Sequence, residues 1–182
     1  MKTETKNKLN QLTRLTALIA LYTIVGATGQ AQADLKEVNG CAQSTTKINE
    51  IATTVDHDWA DFEKFIEDET GLNIKGCMQN RFQDNGKIDC ESSSGGTCSG
   101  ANGWASYLSH TAHFCPTFVN RVRALTGDSN KKACYLALMT HEFGHTCWRG
   151  HGTVEDIDDA AFKYAKKTLP GVTIDMIDCG MD

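Results

Sequence analysis

The chain has 182 residues, and its 23 acidic residues outnumber its 18 basic residues, which gives a formal net charge of −5. A chain of this length accommodates one domain with a single core and leaves no room for a second module. The negative charge disfavours nucleic acids and anionic membrane surfaces as partners.

The first residues have the organisation of a secretory signal peptide. Basic residues lie near the start, an apolar run follows from 15 to about 28, and residues 31–33 (Ala-Gln-Ala) fit signal peptidase cleavage. The apolar run is too short to cross a bilayer comfortably. We therefore predict a signal peptide at 1–33 and one domain at 34–182 that is secreted, either extracellular or periplasmic.

Cysteines indicate how this domain is stabilised. All eight follow the predicted cleavage site, and an even number in an exported chain is typical of a disulfide framework. The absence of any Cys-x-x-Cys pair argues against a zinc ribbon. We expect up to four disulfides, with the pairing left open, among Cys41, Cys77, Cys90, Cys98, Cys115, Cys134, Cys147 and Cys179.

Local patterns in the first part of the domain predict helices followed by short strands. Apolar residues at helical spacing indicate one or two amphipathic helices over about 45–68. The segment 73–103 is rich in Gly, Ser and Asn, which predicts a disulfide-stapled loop or hairpin region with its best strand at 87–90. A further strand is predicted over 109–115.

The segment 131–147 predicts a helix with two histidines on one face. It contains no proline, and residues 128–130 (Asp-Ser-Asn) are capping types just ahead of it. His141 and His145 are four residues apart and therefore lie on one face, with Glu142 beside them. This H-E-x-x-H arrangement is typical of zinc peptidases. We predict that both histidines bind zinc and that the glutamate is the general base.

A catalytic zinc needs a third protein ligand and one open position, and three residues are candidates. His151 extends the motif to the H-E-x-x-H-x-x-G-x-x-H spacing of the metzincins, although Trp148 occupies the glycine position. Asp156 falls in the first turn of a second helix that a Thr153 cap would open, so it either caps backbone N–H groups or binds zinc. Glu155 is the third candidate, and the residues alone leave the choice open.

The segment after the histidine motif predicts a further helix of the domain. Apolar residues at helical spacing follow as far as Pro170, among them Tyr164, and they predict a second long helix. We therefore expect a small zincin-like fold that is mainly helical, with a short sheet and disulfide staples.

Residues 107–160 resemble the deuterolysin family of zinc endopeptidases, the aspzincins. The similarity lies in Phe114-Cys115-Pro116 with Phe118, in Leu125–Ser129, in H-E-x-x-H and in Gly152-Thr153. The resemblance implies zinc as the cofactor. By analogy with zinc peptidases in general, it also places the strand 109–115 along the substrate cleft.

The family differs from this chain at two functional positions. Its third ligand is the aspartate of a Gly-Thr-x-Asp segment, but here that position holds Glu155, and Asp156 comes one residue later. The family also has a tyrosine shortly afterwards that stabilises the oxyanion. Here that position holds Asp158 or Asp159, and Tyr164 follows further along.

The sequence therefore predicts a secreted zinc metalloendopeptidase, a hydrolase that cleaves a protein or peptide substrate. Zinc would activate a water molecule, and Glu142 would take its proton. We expect neither nucleic acid nor membrane as a partner. The alternative, motivated by the missing tyrosine, is a secreted zinc-binding or target-binding protein that keeps the H-E-x-x-H site but has little or no turnover.

Overall fold

The computed structural model describes residues 35–147 and 149–181, so the predicted signal peptide at 1–33 lies outside the described residues. Within those ranges the chain forms a mainly helical domain with one four-stranded sheet. The predicted class, a small disulfide-stapled α+β domain, is confirmed. No helix in the described ranges is long and apolar enough to span a membrane.

Helices account for most of the domain, and strands are short. The helices are α1 (Thr45–His57), α2 (Trp59–Thr70), α3 (Cys77–Asn80), α4 (Pro116–Ala124), α5 (Asp128–Thr146), α6 (His151–Thr168) and α7 (Met176–Cys179). The strands are β1 (Glu37–Asn39), β2 (Lys87–Cys90), β3 (Gly103–Ala105) and β4 (Thr111–Phe114). The predicted helices at 45–68 and 131–147 are confirmed, as are the strands at 87–90 and within 109–115.

The sheet has the strand order β1-β2-β4-β3. Strands β1, β2 and β4 are parallel, whereas β3 runs antiparallel to β4 and ends the order. Successive side chains of a strand point to opposite faces, so Ile88, Ala112 and Phe114, which are all buried, share the core face. Gly103 pairs with Phe114 and lies on the same face. The edge strand β3 therefore presents a glycine toward the helices.

Helix α5 is the centre of the domain. It packs against α1, α4, α6 and the β3–β4 side of the sheet, and its residues 133–140 are all buried. Gly144 permits the close approach of α6, because a Cβ atom there would lie 2.6 Å from Val154 Cγ1. This contact brings the first turn of α6 beside the last turn of α5.

Four disulfides staple the elements around α5, which confirms the prediction from the cysteine count. They pair Cys41 with Cys90, Cys77 with Cys147, Cys98 with Cys115, and Cys134 with Cys179. Cys77–Cys147 anchors the C-terminal end of α5, and Cys134–Cys179 anchors α7 against the same helix. Each bridge typically contributes about 2–4 kcal/mol to stability.

Candidate metal centre

Three histidines meet where α5 ends and α6 begins. His141 and His145 lie on α5, and His151 is the first residue of α6. One ring nitrogen from each lies within 4.8 Å of the others, and the Nε2 atoms of His141 and His145 are 3.2 Å apart. Among the residues described, these three form the group that can hold one metal ion.

Hydrogen bonds on the far side of two rings fix their orientation. Asp158 Oδ2 lies 2.6 Å from His141 Nδ1, and the Arg149 carbonyl oxygen lies 3.0 Å from His145 Nδ1. A backbone carbonyl only accepts hydrogen bonds, so Nδ1 of His145 carries the proton and its Nε2 keeps a free lone pair. A carboxylate or carbonyl behind each metal-facing imidazole is the usual outer support of a metal-binding histidine.

The environment affects the two histidines differently. Burial disfavours the charged form of His141, but the hydrogen bond to Asp158 and the nearby Glu142 carboxylate outweigh it and raise the pKa of His141. Burial lowers the pKa of His145, and the adjacent His141 and His151 lower it further, although its hydrogen bond to the Arg149 carbonyl acts in the opposite direction. The Nε2 atoms of the two rings lie 3.2 Å apart, and imidazole nitrogens are common ligands of divalent transition metals.

Glu142 is a buried carboxylate that faces the same cleft. The residue is 2 % exposed, and its Oε2 atom has no hydrogen-bond partner among the described residues. Burial raises the pKa of Glu142 to about 7, with Asp158 adding to the effect and His141 opposing it. A buried, unpaired carboxylate is costly to a fold, so it is a candidate for chemistry and not for stability.

Gly103 of β3 makes room for this carboxylate. A Cβ atom at Gly103 would lie 2.6 Å from Glu142 Oε1 and 2.8 Å from the His113 carbonyl oxygen. Any larger residue would therefore displace Glu142 or the edge strand. The segment 73–103 was predicted as a loop or hairpin region, and the short strand β3 that begins at Gly103 was not foreseen.

Two cavities meet at the histidines and Glu142. One cavity of about 560 Å³ and another of about 290 Å³ share Gly103, His141, Glu142 and His151 as lining residues. The larger is also lined by apolar side chains (Leu138, Met176 and Met181) and by carboxylates (Glu155, Asp158 and Asp159). The smaller is completed by Trp104, Ala105, Tyr107 and His145. The strand β3 therefore lies along the cleft, a position predicted for the strand at 109–115.

The candidates for the third ligand separate clearly. The structure brings His151 to the histidine pair and does not bring Asp156 there, since Asp156 lines a different depression with Glu69 and Lys163. Helix α6 begins at His151, directly after Gly150, and not at a Thr153 cap. His151 and Asp156 are five residues apart on this helix, so their side chains project from different faces of it. Glu155 lies one turn after His151 and lines the cleft, but it is outside the three-histidine group.

The structure also locates Asp158 and Tyr164, which lie at and after the family's tyrosine position. Asp158, which is 3 % exposed, falls at the family's tyrosine position, and its contact with His141 was not predicted. Its spacing of seven residues from His151 on one helix face is the signal that would have found it. Tyr164 is 3 % exposed and packs against Phe62 and Phe65, away from the cleft.

Comparison of the chain with protein-family models, curated proteins and solved structures gives no match. The chemistry of the site is therefore inferred from its own residues.

Proposed function

We propose that this chain is a secreted zinc-dependent endopeptidase with chemistry of the deuterolysin or metzincin type. The observation that carries the proposal is the combination of three convergent histidines with a buried, unpaired Glu142 beside them. Nδ1 of His141 and of His145 contacts a fixed acceptor, which supports metal binding through Nε2.

The donor set fits zinc. Three imidazoles leave one side of a tetrahedral ion open, which is the composition of catalytic zinc sites. Zinc held by His141, His145 and His151 supplies Lewis-acid polarisation of the scissile carbonyl and a lowered pKa for the attacking water. Asp158 and the Arg149 carbonyl keep two of the rings in position.

Glu142 is the general base. Its carboxylate takes one proton from the water as the water oxygen bonds to the carbonyl carbon. When the C–N bond breaks, Glu142 passes that proton to the departing amine nitrogen. Peptide and water are thereby converted to a carboxylic acid and an amine, which ionise in solution to a carboxylate and an ammonium group, and Glu142 regains its starting state.

The shape of the cleft favours a substrate that continues on both sides of the cleaved bond. Two cavities share His141 and Glu142 as lining residues, and β3 borders both. Since β3 is the last strand in the sheet order, its outer edge can pair with an extended peptide. This supports cleavage within chains, that is, endopeptidase activity.

The four disulfides support the proposed location. Disulfides form and persist in oxidising compartments, and all eight cysteines are paired. This agrees with export to the extracellular space or the periplasm.

The test is Glu142→Gln in the oxidised, exported protein. Zinc content stays unchanged because Glu142 is not a ligand, whereas casein cleavage falls by about 10²–10⁴-fold, the typical contribution of proton-transfer catalysis. Glu67→Gln, an exposed residue on α2, is the matched control and keeps wild-type activity. Undiminished cleavage by Glu142→Gln would contradict the mechanism. Bound zinc without cleavage in the unsubstituted protein would favour the non-catalytic alternative.

A further inference from the structure

The four disulfides differ in how far solvent reaches them. In Cys77–Cys147, Cys77 is exposed and Cys147 is only partly buried. In the other three, at least one cysteine is only 0–3 % exposed; these are Cys41–Cys90, Cys98–Cys115 and Cys134–Cys179. A disulfide is reduced when a thiolate reaches one of its sulfur atoms, so access decides which bridge opens first. Cys77–Cys147 is therefore the bridge most open to a reductant.

This bridge also holds the chain segment that joins the metal-binding residues of the two helices. Cys147 comes directly after α5 and two residues after His145. Two residues further on, the Arg149 carbonyl oxygen lies 3.0 Å from His145 Nδ1 and supports that ring from behind. His151, the third histidine of the group, follows after another two residues. The path of the chain after Cys147 thus fixes both an outer partner of one histidine and the position of another.

The opposite end of the bridge is anchored in the core. Cys77 is the first residue of α3, and the nearby Ile74 and Met78 are each only 2 % exposed. The same segment accepts one more tie, since Arg149 Nη2 donates to the Asn73 carbonyl oxygen over 3.1 Å. That hydrogen bond is exposed, so water competes with it and it holds the segment weakly. The covalent bridge is therefore the strong tether, and its α3 end stays in place if it opens.

Other contacts keep the helices together without the bridge. The tight packing of Gly144 against Val154 holds α6 to α5, and the Arg149 N–H donates to the Gly144 carbonyl oxygen over 3.1 Å. The three remaining bridges join other parts of the domain. Opening Cys77–Cys147 would thus loosen the connection between α5 and α6 while the helices stay packed.

We propose that Cys77–Cys147 is a redox switch that makes zinc retention depend on an oxidising environment. The reductant is a dithiol. One of its thiolates bonds to Cys77 Sγ and displaces Cys147, which takes up a proton; its second thiol then displaces Cys77. The dithiol becomes a disulfide, and both cysteines become thiols. With the tether open, the Arg149 carbonyl is no longer held behind His145, and zinc is bound more weakly.

This inference rests on the zinc site of the proposed function and adds its regulation. Reducing compartments keep cysteines as thiols, whereas exported proteins meet oxidising conditions. The chain would therefore hold zinc poorly before export and firmly once Cys77–Cys147 has formed. Proteolysis would in this way be confined to the compartment in which the substrate is met.

The experiment reduces the oxidised, zinc-loaded protein with thioredoxin, thioredoxin reductase and NADPH. This dithiol system is used in catalytic amounts, so it does not itself strip the zinc. At intervals, new thiols are blocked with iodoacetamide and located by peptide mass mapping. Competition with a chromogenic chelator measures zinc affinity, and far-UV circular dichroism follows the helices. We expect Cys77 and Cys147 to be labelled first, with zinc affinity falling by about 10–100-fold, the usual effect of losing an outer partner of a metal-binding histidine.

A pair of double variants separates this bridge from disulfides in general. Cys77→Ser with Cys147→Ser reproduces the open state, so zinc affinity is already lowered by the same factor and thioredoxin lowers it no further. Cys41→Ser with Cys90→Ser, which removes the bridge between β2 and the segment before α1, is the matched control. It keeps the zinc affinity of the unsubstituted protein and its response to thioredoxin. If either variant does not fold, the reduction of the unsubstituted protein decides alone.

The outcomes distinguish the switch from the proposed function. If another bridge opens first, or if all four open together with loss of the helical signal, Cys77–Cys147 is not a switch. If it opens first and zinc affinity is unchanged, the switch is overturned and the zinc site stands. If the oxidised protein binds zinc but cleaves no peptide, zinc affinity still decides the switch, and only the peptidase proposal fails. If the oxidised protein binds no zinc, both fail.

Discussion

The two halves of α5 differ in what surrounds their side chains. From Ala133 to Met139 every residue belongs to the hydrophobic core, and the one phenol there contacts Ser44. From His141 to His145 the same helix turns imidazoles and a carboxylate toward a cleft, and one Glu142 oxygen has no partner among the described residues. The first half therefore stabilises the fold, whereas the second half holds a buried polar group that costs stability and that the proposed chemistry would use.

The largest effect is expected at His151, the first residue of α6, which lies beside the two histidines of α5. His151→Ala removes a ligand, so zinc measured after dialysis falls from about one ion per chain toward none, and cleavage is lost. Asp156→Ala keeps both, because Asp156 faces another surface of α6. The reverse pattern would show that the third ligand is Asp156 and that the chain leaves α5 differently.

In the core half, a substitution should reduce stability without changing the chemistry. Leu136 is fully buried, so Leu136→Ala is expected to lower the free energy of unfolding by about 2–5 kcal/mol. At temperatures where the variant is folded, its zinc content and kcat match those of the unsubstituted protein. Chemical denaturation followed by far-UV circular dichroism measures the first, and a peptide assay the second. A loss of zinc from the folded variant would contradict the separation of the two halves.

Gly103 on strand β3 tests how tightly this strand confines Glu142. Gly103→Ala introduces a Cβ atom that would lie 2.6 Å from Glu142 Oε1. The shift required of Glu142 is expected to lower kcat by up to about 10²-fold, since displacements near 1 Å at a catalytic group have effects of that size. Gly95→Ala, whose nearest contact would be 3.6 Å, serves as the control. Equal activity of the two variants would indicate that Glu142 is not confined by β3.

The smallest predicted effect concerns the support behind His141. Asp158→Asn keeps the shape of the side chain but removes the negative charge 2.6 Å from Nδ1. We expect zinc affinity to fall by about 10–100-fold, as is usual for outer partners of metal-binding histidines. Competition with a chromogenic chelator measures the affinity. An unchanged zinc affinity would show that Asp158 is a buried acid of the core that does not support metal binding by His141.

The parts of the fold that the sequence predicted well are those governed by helical periodicity. The long apolar run of α5 and the four-residue spacing of its histidines depend on one helix, so they follow from local geometry. The strand at 87–90 was equally clear. In contrast, β3 has only three residues and begins in a glycine-rich stretch, so only its pairing with β4 identifies it as a strand.

Helix starts were harder to predict than helices, and the third ligand depended on one of them. The capping types at 128–130 suggested a cap for α5, but the residue before that helix is Gly127, and Asn130 Nδ2 instead donates to the Thr126 carbonyl oxygen. Likewise α6 starts at His151, two residues before Thr153. The Cys77–Cys147 bridge and the contact of Gly144 with Val154 set the path of the chain between the helices, and neither contact is local in sequence.

The central claim is that His141, His145 and His151 together hold a catalytic zinc. A crystal structure of the zinc-loaded protein, with anomalous diffraction recorded on both sides of the zinc absorption edge, tests it most directly. We predict one anomalous peak within about 2.0–2.1 Å of a ring nitrogen of each histidine, with the fourth position open toward Glu142. A peak bound by Asp156 or Glu155 in place of His151, or no zinc at these histidines, would contradict the claim.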